Sequence, residues 1–195
     1  MQASGRRALA IAVDTTVESA VIAMFEQASN FGTVTGLVNN AGSVASVGAL
    51  VDADLDAVRR DIDVNLFGVL ACAKHAVRCM SVTGGGAIVN TSSAAATLGS
   101  VGSYVHYAAA KAGVDAMTVG LSKEVASAGI RVNAVAPGTI WTDFHLDTGR
   151  PAKVAPTVPM GRAGQPEEIA GAVAWPLSND ASYATGTVIR VAGGL

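Results

Sequence analysis

Hydrophobic residues along this chain follow two different spacings. Short apolar runs without polar alternation predict strands that are buried on both faces. They lie at 8–13, 36–40, 86–90, 130–136 and 188–192. Between them, apolar residues recur three and four positions apart, which predicts helices at about 16–30, 54–80, 107–128 and 166–178. Strands that alternate with helices indicate an α/β fold, an open parallel sheet with helices on both faces, and we expect one domain over residues 1–195.

Small or polar segments follow the predicted strands. Asp14 follows the first strand, and the next three are followed by NNAG at 39–42, TSSAAA at 91–96 and PGTIWT at 137–142. Ligands of open parallel sheets bind beyond the carboxyl ends of the strands, so these four segments together predict a ligand crevice there. Residues 143–165 contain several prolines and few long apolar side chains. We therefore expect a mobile surface segment there.

Composition removes several classes of function. Half of the 195 residues are hydrophobic, only 14% are charged, and the formal net charge is −2. This charge gives no electrostatic basis for binding nucleic acid or an anionic membrane surface. Uninterrupted apolar runs are shorter than the ~18 residues of a membrane span, and no secretory signal is visible. We expect a cytoplasmic protein of ordinary domain size.

Cysteines and histidines give no sign of a metal site or a disulfide. Cys72 and Cys79 lie in a predicted helix, too far apart along its axis for a bond, so we expect reduced packing thiols. The spacing of His75, His106 and His145 does not suggest metal ligands, and we expect packed or solvated side chains. The sequence therefore predicts no metal.

Tyr107 and Lys111 form the most informative polar pair. They are four residues apart in a predicted helix, which places them on one face, one turn apart. A free tyrosine has a pKa near 10, and a neighbouring ammonium lowers the pKa of the phenol. The pair is therefore a candidate for acid/base chemistry. Tyr104 has Ala108 at the equivalent position, so we assign it only to the wall of a substrate pocket.

Six motifs occur in a fixed order along the chain: NNAG at 39–42, DVNLFG around Asn65, IVNTSS at 88–93, YAAAK at 107–111, RVNAVAPGTIWT at 131–142 and GTVIRVAGG at 186–194. This order resembles the short-chain dehydrogenase/reductase family. The resemblance covers nearly the whole chain, and the C-terminal part is similar to the sugar dehydrogenase and 3-oxoacyl reductase subgroup. The family implies a Rossmann-like sheet.

One family motif is absent from these 195 residues. Family members begin with a strand and a glycine-rich turn, whose backbone approaches the cofactor pyrophosphate at a helix N-terminus. The start of this chain instead resembles the family's third strand. We therefore expect an N-terminally truncated, partial domain without the first two strands of the family.

The resemblance implies roles for four residues in hydride transfer between a nicotinamide and a carbonyl or hydroxyl group. Tyr107 would exchange a proton with the substrate oxygen, and Lys111 would support Tyr107 and hold the nicotinamide ribose. Asn65 would bind a water that passes protons to the lysine. The serine that orients the substrate is assigned to Ser93, with Ser92 as the alternative.

The resemblance also implies a cofactor, NAD or NADP, of which we favour NADP slightly. Asp14 would meet the adenine, and Tyr107 and Lys111 would contact the nicotinamide end. The other contacts follow the second and fourth predicted strands: Asn39, Ala41 and Gly42 towards the adenosine ribose, and Pro137, Gly138, Ile140 and Thr142 around the nicotinamide.

Two functions from different classes follow for this chain. The first is an NAD(P)-dependent oxidoreductase with a small carbonyl or alcohol substrate. The second is a weak or inactive remnant that acts only through self-association. The family pairs the helices at 54–80 and 107–128 across a two-fold axis, which implies a homodimer or homotetramer.

Overall fold

The computed structural model describes residues 5–195, which form one four-stranded sheet flanked by helices. The strands are β1 (Gly36–Asn39), β2 (Gly86–Thr91), β3 (Ile130–Pro137) and β4 (Val188–Val191). All pairings are parallel, in the order β1-β2-β3-β4. The helices are α1 (Glu18–Phe31), α2 (Leu55–Ile62), α3 (Gly68–Thr83), α4 (Ala95–Leu98), α5 (Val105–Val125), α6 (Arg150–Val154) and α7 (Pro166–Leu177). The α/β fold class is therefore confirmed.

Helices cover both faces of the sheet. The main apolar core joins α1, α3 and α5 to one face, with Met80, Ile88 and Val132 completely or almost completely buried. Leu37 of β1 also packs against this core. Because neighbouring strand residues point to opposite faces, Gly36 faces the other side, where Leu177 of α7 lies nearby.

The predicted helix at 54–80 is one long helical stretch with a distortion in the middle. A π-helical turn, Asp63–Phe67, joins α2 to α3 and contains Asn65. Such turns are often found at functional sites. The stretch Leu55–Thr83 is long and apolar enough to span a membrane, but 44% of its most apolar window is buried inside the protein. We therefore interpret it as a core helix.

The strand predicted at 8–13 is wrong. These residues form no strand and pair with none of the four strands. The apolar run is real, since Val13 packs on the core, but Leu9 is about half exposed. A strand exists only through its backbone hydrogen bonds to a neighbour, and the 8–13 segment has none alongside it in residues 5–195.

Residues 143–165 contain more structure than expected. The helix α6 and a 3₁₀ turn, Ala155–Thr157, lie within this segment. Pro151, Val158 and Ala163 are buried, so part of the segment packs on the domain. It follows β3 directly and therefore lies next to the carboxyl end of the sheet.

Candidate active site

Tyr107 and Lys111 lie in the first two turns of α5, both buried. The Lys111 ammonium donates to the carbonyl oxygen of Thr91, the last residue of β2, at 2.8 Å. Its Nζ is 5.6 Å from the centre of the Tyr107 ring. The pair therefore lies together at the carboxyl end of a central strand, as the sequence predicted.

The two candidate serines have different surroundings. The Ser93 hydroxyl lies close enough to the Tyr107 phenol to act on its pKa, and it accepts from the backbone N–H of Ala95. Ser92 is buried and donates to the carbonyl of Lys111 at 3.3 Å. Only Ser93 faces the phenol, which favours it over Ser92 as the residue that contacts a substrate oxygen.

Burial controls the protonation of the pair. It raises the pKa of Tyr107 to about 12, although the hydrogen bond from Ser93 acts in the opposite direction. It lowers the pKa of Lys111 to about 8, while the nearby Asp115 carboxylate acts to raise it. The expected lowering of the tyrosine pKa is therefore wrong for this structure. The loss of water around the phenolate is the largest cause of the raised Tyr107 pKa, and the Lys111 ammonium is engaged by the carbonyl of Thr91.

Asn65 is completely buried beside the pair. Its Nδ2 donates to the carbonyl oxygens of Ser43 at 2.6 Å and Asp61 at 2.8 Å. Its Oδ1 is buried and has no hydrogen-bond partner within residues 5–195. A Cβ atom on Gly42 would lie 3.0 Å from this oxygen and 3.8 Å from Lys111 Nζ. The free acceptor and the ammonium therefore both border the space at Gly42.

A buried acid and histidine beneath this region were missed by the sequence reasoning. Asp61 is completely buried and accepts hydrogen bonds from Ser43 Oγ and the backbone N–H groups of Ala45 and Ser46. Its Oδ2 is also 3.0 Å from Nε2 of His106, the residue before Tyr107. The network ties the loop after NNAG to α2 and α5. The sequence contained one signal for this network: Asp61 lies one helical turn before Asn65, on the apolar face of the predicted helix.

Asn39 is not brought to the crevice by its side chain. Its amide is buried and donates to Asn90 Oδ1 at 2.9 Å, and Asn90 in turn donates to Thr118 on α5. The chain of amides connects β1, β2 and α5 inside the protein. Asn39 therefore offers only its backbone to a ligand.

The other residues expected near the adenosine lie at the surface. Asp14 accepts from the backbone and the hydroxyl of Thr16 just before α1, and these bonds hold its pKa below the usual range. Ala41 and Gly42 are exposed after β1. All three follow segments that the sequence placed on the ligand edge, and Gly42 reaches Lys111 and Asn65.

The segment after β3 supplies the opposite wall. Gly138 lies so close to residue 192 that a Cβ would be 2.8 Å from the Ala192 Cα, which explains the glycine. Ile140 forms an isolated bridge with Gly164. Pro137 is half-buried at the end of β3, and Thr142 is exposed. Their position places them beside the crevice without a bond to Tyr107 or Lys111.

Aromatic rings surround the phenol. The rings of Tyr104 and Tyr107 meet edge to face, with centroids 5.4 Å apart. Phe144 lies 5.8 Å from Tyr107 on another side. The guanidinium of Arg150 lies over the Tyr104 ring at 5.2 Å. The Tyr107 phenol therefore lies between aromatic walls, with Lys111 beside its own ring and Arg150 over the neighbouring Tyr104 ring.

The three histidines each have a hydrogen-bonding partner. His75 lies 3.1 Å from a Glu18 oxygen, His106 pairs with Asp61, and His145 lies 3.0 Å from the Ile140 carbonyl. Residues 5–195 contain no group of three His, Cys, Asp or Glu side chains that could hold a metal ion. The histidines are packed, in agreement with the sequence.

Comparison with known proteins identifies the family. A family model described as enoyl-(acyl carrier protein) reductase matches residues 1–195. The chain belongs to the short-chain dehydrogenase/reductase family. A crystal structure of a short-chain type dehydrogenase/reductase from Mycobacterium marinum superposes with a TM-score of 0.94 at 35% identity, over 99% of this chain and 77% of that one. Family membership makes this chain an NAD(P)-dependent dehydrogenase or reductase by kinship.

Two relatives cover almost the whole chain. The uncharacterized oxidoreductase YgfF of Escherichia coli is 42% identical over 198 residues, which span 98% of this chain and 80% of YgfF. The cis-4-hydroxycyclohexanecarboxylate dehydrogenase of Sinomonas cyclohexanicum is 43% identical over 196 residues, 98% of this chain and 78% of that enzyme. The 195 residues therefore correspond to about four fifths of these proteins.

Proposed function

We propose that this short-chain dehydrogenase/reductase interconverts a small-molecule alcohol and its carbonyl compound, with Tyr107 as the acid/base. The observation that carries this proposal is the buried phenol of Tyr107, with the Ser93 hydroxyl beside it and Lys111 one helical turn away. The arrangement lies at the carboxyl end of β2, the edge at which ligands bind open parallel sheets. Ser92 is the weaker candidate, because its hydroxyl is engaged inside the protein.

Tyr107 is suited to donating a proton. With a pKa of about 12, the phenol is protonated at neutral pH. Ser93 positions the carbonyl oxygen, Tyr107 gives its proton to that oxygen, and the carbon accepts a hydride, so that C=O becomes CH–OH. The nicotinamide cofactor supplies this hydride when it is bound. The same groups run the oxidation in reverse, with Tyr107 taking the hydroxyl proton.

Lys111 and Asn65 would replace the proton that Tyr107 loses. The Lys111 pKa of about 8 makes the ammonium a donor that can release a proton near neutral pH. The free Oδ1 of Asn65 offers an acceptor for a water beside it. Both groups border Gly42, so a water held there would connect the lysine to the surface.

The residues present fit one end of the cofactor. Bare backbone at Gly42 leaves space beside the buried Lys111 ammonium where ribose hydroxyls could approach it, and a side chain at this position would fill that space. The segment from Pro137 to Thr142 would flank the nicotinamide ring, and Asp14 would lie towards the adenine. The glycine-rich turn that receives the pyrophosphate in this family does not occur in these 195 residues.

A measurement of catalytic turnover decides between an active oxidoreductase and an inactive protein that acts only by self-association. We would extend the chain at its N-terminus with a family strand and glycine-rich turn, and measure NADH and NADPH oxidation with cyclic ketones. Tyr107→Phe should lower kcat by about 10²–10⁴-fold, the usual contribution of a general acid. Tyr183→Phe is the matched control, because Tyr183 is fully exposed elsewhere. Equal loss in both variants, or no turnover of any ketone, would contradict the proposal.

Self-association through the long helices is a second part of the proposal. Apolar side chains on the long helical stretch Leu55–Thr83 and on α5 remain exposed. Among them are Phe67, which is 48% exposed, and Leu70, which is 42% exposed. Burial of such a face against a second copy across a two-fold axis would remove it from water. Phe67→Glu should shift sedimentation at micromolar concentration towards the monomer. Val51→Glu is the control, since Val51 is exposed in a different region.

A further inference from the structure

Arg150 is a half-buried cation beside the candidate active site, and it has no charged partner among residues 5–195. Its Nε–H is buried and has no hydrogen-bond acceptor within residues 5–195. It takes part in none of the ion pairs between these residues. A buried donor of a charged group without an acceptor is costly, so a missing anionic partner is the natural explanation.

Asp147, an acid on which the charge of Arg150 acts, is already engaged by other groups. The charge of Arg150 contributes to lowering the pKa of Asp147, but more weakly than the groups that Asp147 binds. The two oxygens of Asp147 accept from Lys153 Nζ at 2.6 Å and from the backbone N–H of Gly149 at 3.0 Å. Asp147 therefore does not neutralise Arg150 directly.

Another partly buried arginine of this chain does have its acceptors. Arg131 donates to the carbonyls of Pro176 at 2.6 Å and Ser178 at 3.0 Å. At the surface, Arg162 binds both oxygens of Glu168, at 2.8 and 2.7 Å. Arg150 differs from both in lying over the ring of Tyr104, the neighbour of Tyr107, instead of against a hydrogen-bond acceptor.

The position of Arg150 relates its charge to the chemistry. The guanidinium lies over the Tyr104 ring at 5.2 Å, and the Tyr104 ring is 5.4 Å from the Tyr107 ring. Phe144 forms the wall on another side of Tyr107. A molecule with its oxygen at the Tyr107 hydroxyl and an apolar body against the Tyr104 ring would bring its far end near this cation.

We propose that Arg150 selects a substrate with a carboxylate, so that the chain acts on hydroxy acids and oxo acids with a compact apolar body. This inference rests on the proposed function, because it assigns the far end of the molecule whose near end reacts at Tyr107. A planar guanidinium binds a carboxylate with two parallel hydrogen bonds, which a lysine cannot reproduce.

Binding without a cofactor tests this proposal independently of turnover. The 195-residue chain would be titrated by calorimetry and by saturation-transfer NMR with cyclohexanecarboxylate and with its neutral analogue, cyclohexanecarboxamide. We expect the carboxylate to bind at least about tenfold more tightly, in the range of a charge-assisted, bidentate pair. Equal binding of the two probes would overturn the proposal. So would equal competition by inorganic phosphate, which would indicate an unselective anion site.

Variants of Arg150 and of the neighbouring Lys153 test which cation causes the preference for the carboxylate probe. Arg150→Gln should abolish the preference for the carboxylate, and Arg150→Lys should keep only part of it. Lys153→Gln is the matched control, because it removes a positive charge from the same short helix. The Lys153 side chain is exposed and paired with Asp147. A preference that survives Arg150→Gln, or that Lys153→Gln abolishes equally, would contradict the assignment.

A structural role for Arg150 gives a different result. If its contact with Tyr104 only holds α6 against α5, Arg150→Gln lowers the melting temperature and weakens both probes alike. Should Arg150→Gln fail to fold, the Arg150→Lys variant decides by its loss of carboxylate preference at unchanged carboxamide binding. If the extended chain shows no turnover but the carboxylate preference is present, also in Tyr107→Phe, the proposed reaction is wrong and this site is right. If turnover is present without a carboxylate preference, this site is wrong and the proposed reaction is right.

Discussion

The centre of the sheet and its β1 edge differ sharply in how closely they are packed. Around β2, β3 and α5, polar side chains are buried and linked, such as the Asn90 amide that donates to the Thr118 hydroxyl. Beside β1, by contrast, residues 8–13 pair with no strand, and Val38 is 41% exposed. The groups that we propose for proton transfer lie in the first region, and the adenosine end of a cofactor would lie towards the second.

This difference separates chemistry from cofactor affinity. Tyr107, Ser93, Lys111 and Asn65 are held by strands and helices that lie wholly within the 195 residues. Phosphate binding in this family depends on backbone that these residues do not contain. The catalytic half can therefore be complete in geometry while the cofactor is held weakly.

Amide hydrogen exchange should show the largest difference between the β1 edge and the centre of the sheet. Amides of 8–13 should exchange almost freely, whereas those of Val132 to Val135 should be protected up to the global stability. With a stability of at least about 5 kcal/mol, the difference is roughly ten-thousandfold. Protection of residues 8–13 equal to that of β3 would mean that the segment pairs with the β1 edge in solution.

Cofactor affinity should show the next largest effect. The 195-residue chain is expected to bind NADH and NADPH weakly, and addition of a strand and glycine-rich turn should restore about three orders of magnitude, or about 4 kcal/mol. Fluorescence titration of both forms of the chain with both cofactors measures this change. A low-micromolar dissociation constant for the unextended chain would show that the catalytic half is sufficient.

Asp61 should be a stability determinant of the catalytic half. Asp61→Ala removes the acceptor of Ser43, Ala45, Ser46 and His106, and it should cost about 3–5 kcal/mol of unfolding free energy, the range for breaking a buried charged network. Asp63→Asn is the control, because it lies two residues away and is only half-buried. Urea denaturation gives both values. A loss below 1 kcal/mol for Asp61→Ala would show that the network adds little.

The smallest expected effect is a shift in pH dependence. The Asp115 carboxylate raises the pKa of Lys111, so its replacement by Asn should move this pKa further below about 8. If the ammonium is the active form, kcat/KM falls as pH rises through this pKa, and the alkaline limb moves to lower pH in Asp115→Asn. Glu124→Gln, an exposed acid on the same helix, is the control. An unchanged limb would exclude Lys111 as its origin.

Periodicity and motif order were sufficient for the architecture. The strands at 36–40, 86–90, 130–136 and 188–192 were confirmed to within a residue at each end, and so was the long α5 helix to within a few residues. The Tyr107–Lys111 pair also followed from local sequence, because a four-residue spacing on a helix fixes which side chains share a face. These features depend on contacts within one element or on a burial pattern that the sequence encodes directly.

Other features depended on contacts between distant segments. The apolar run at 8–13 has the composition of a strand, but only a neighbouring strand could make it one. The Asp61–His106 pair joins residues 45 positions apart, and the high pKa of Tyr107 comes from burial by several elements at once. The approach of Arg150 to Tyr104 likewise arises only when α6 packs beside α5. Sequence spacing determined which groups are available, and tertiary packing decided which are desolvated and what each of them faces.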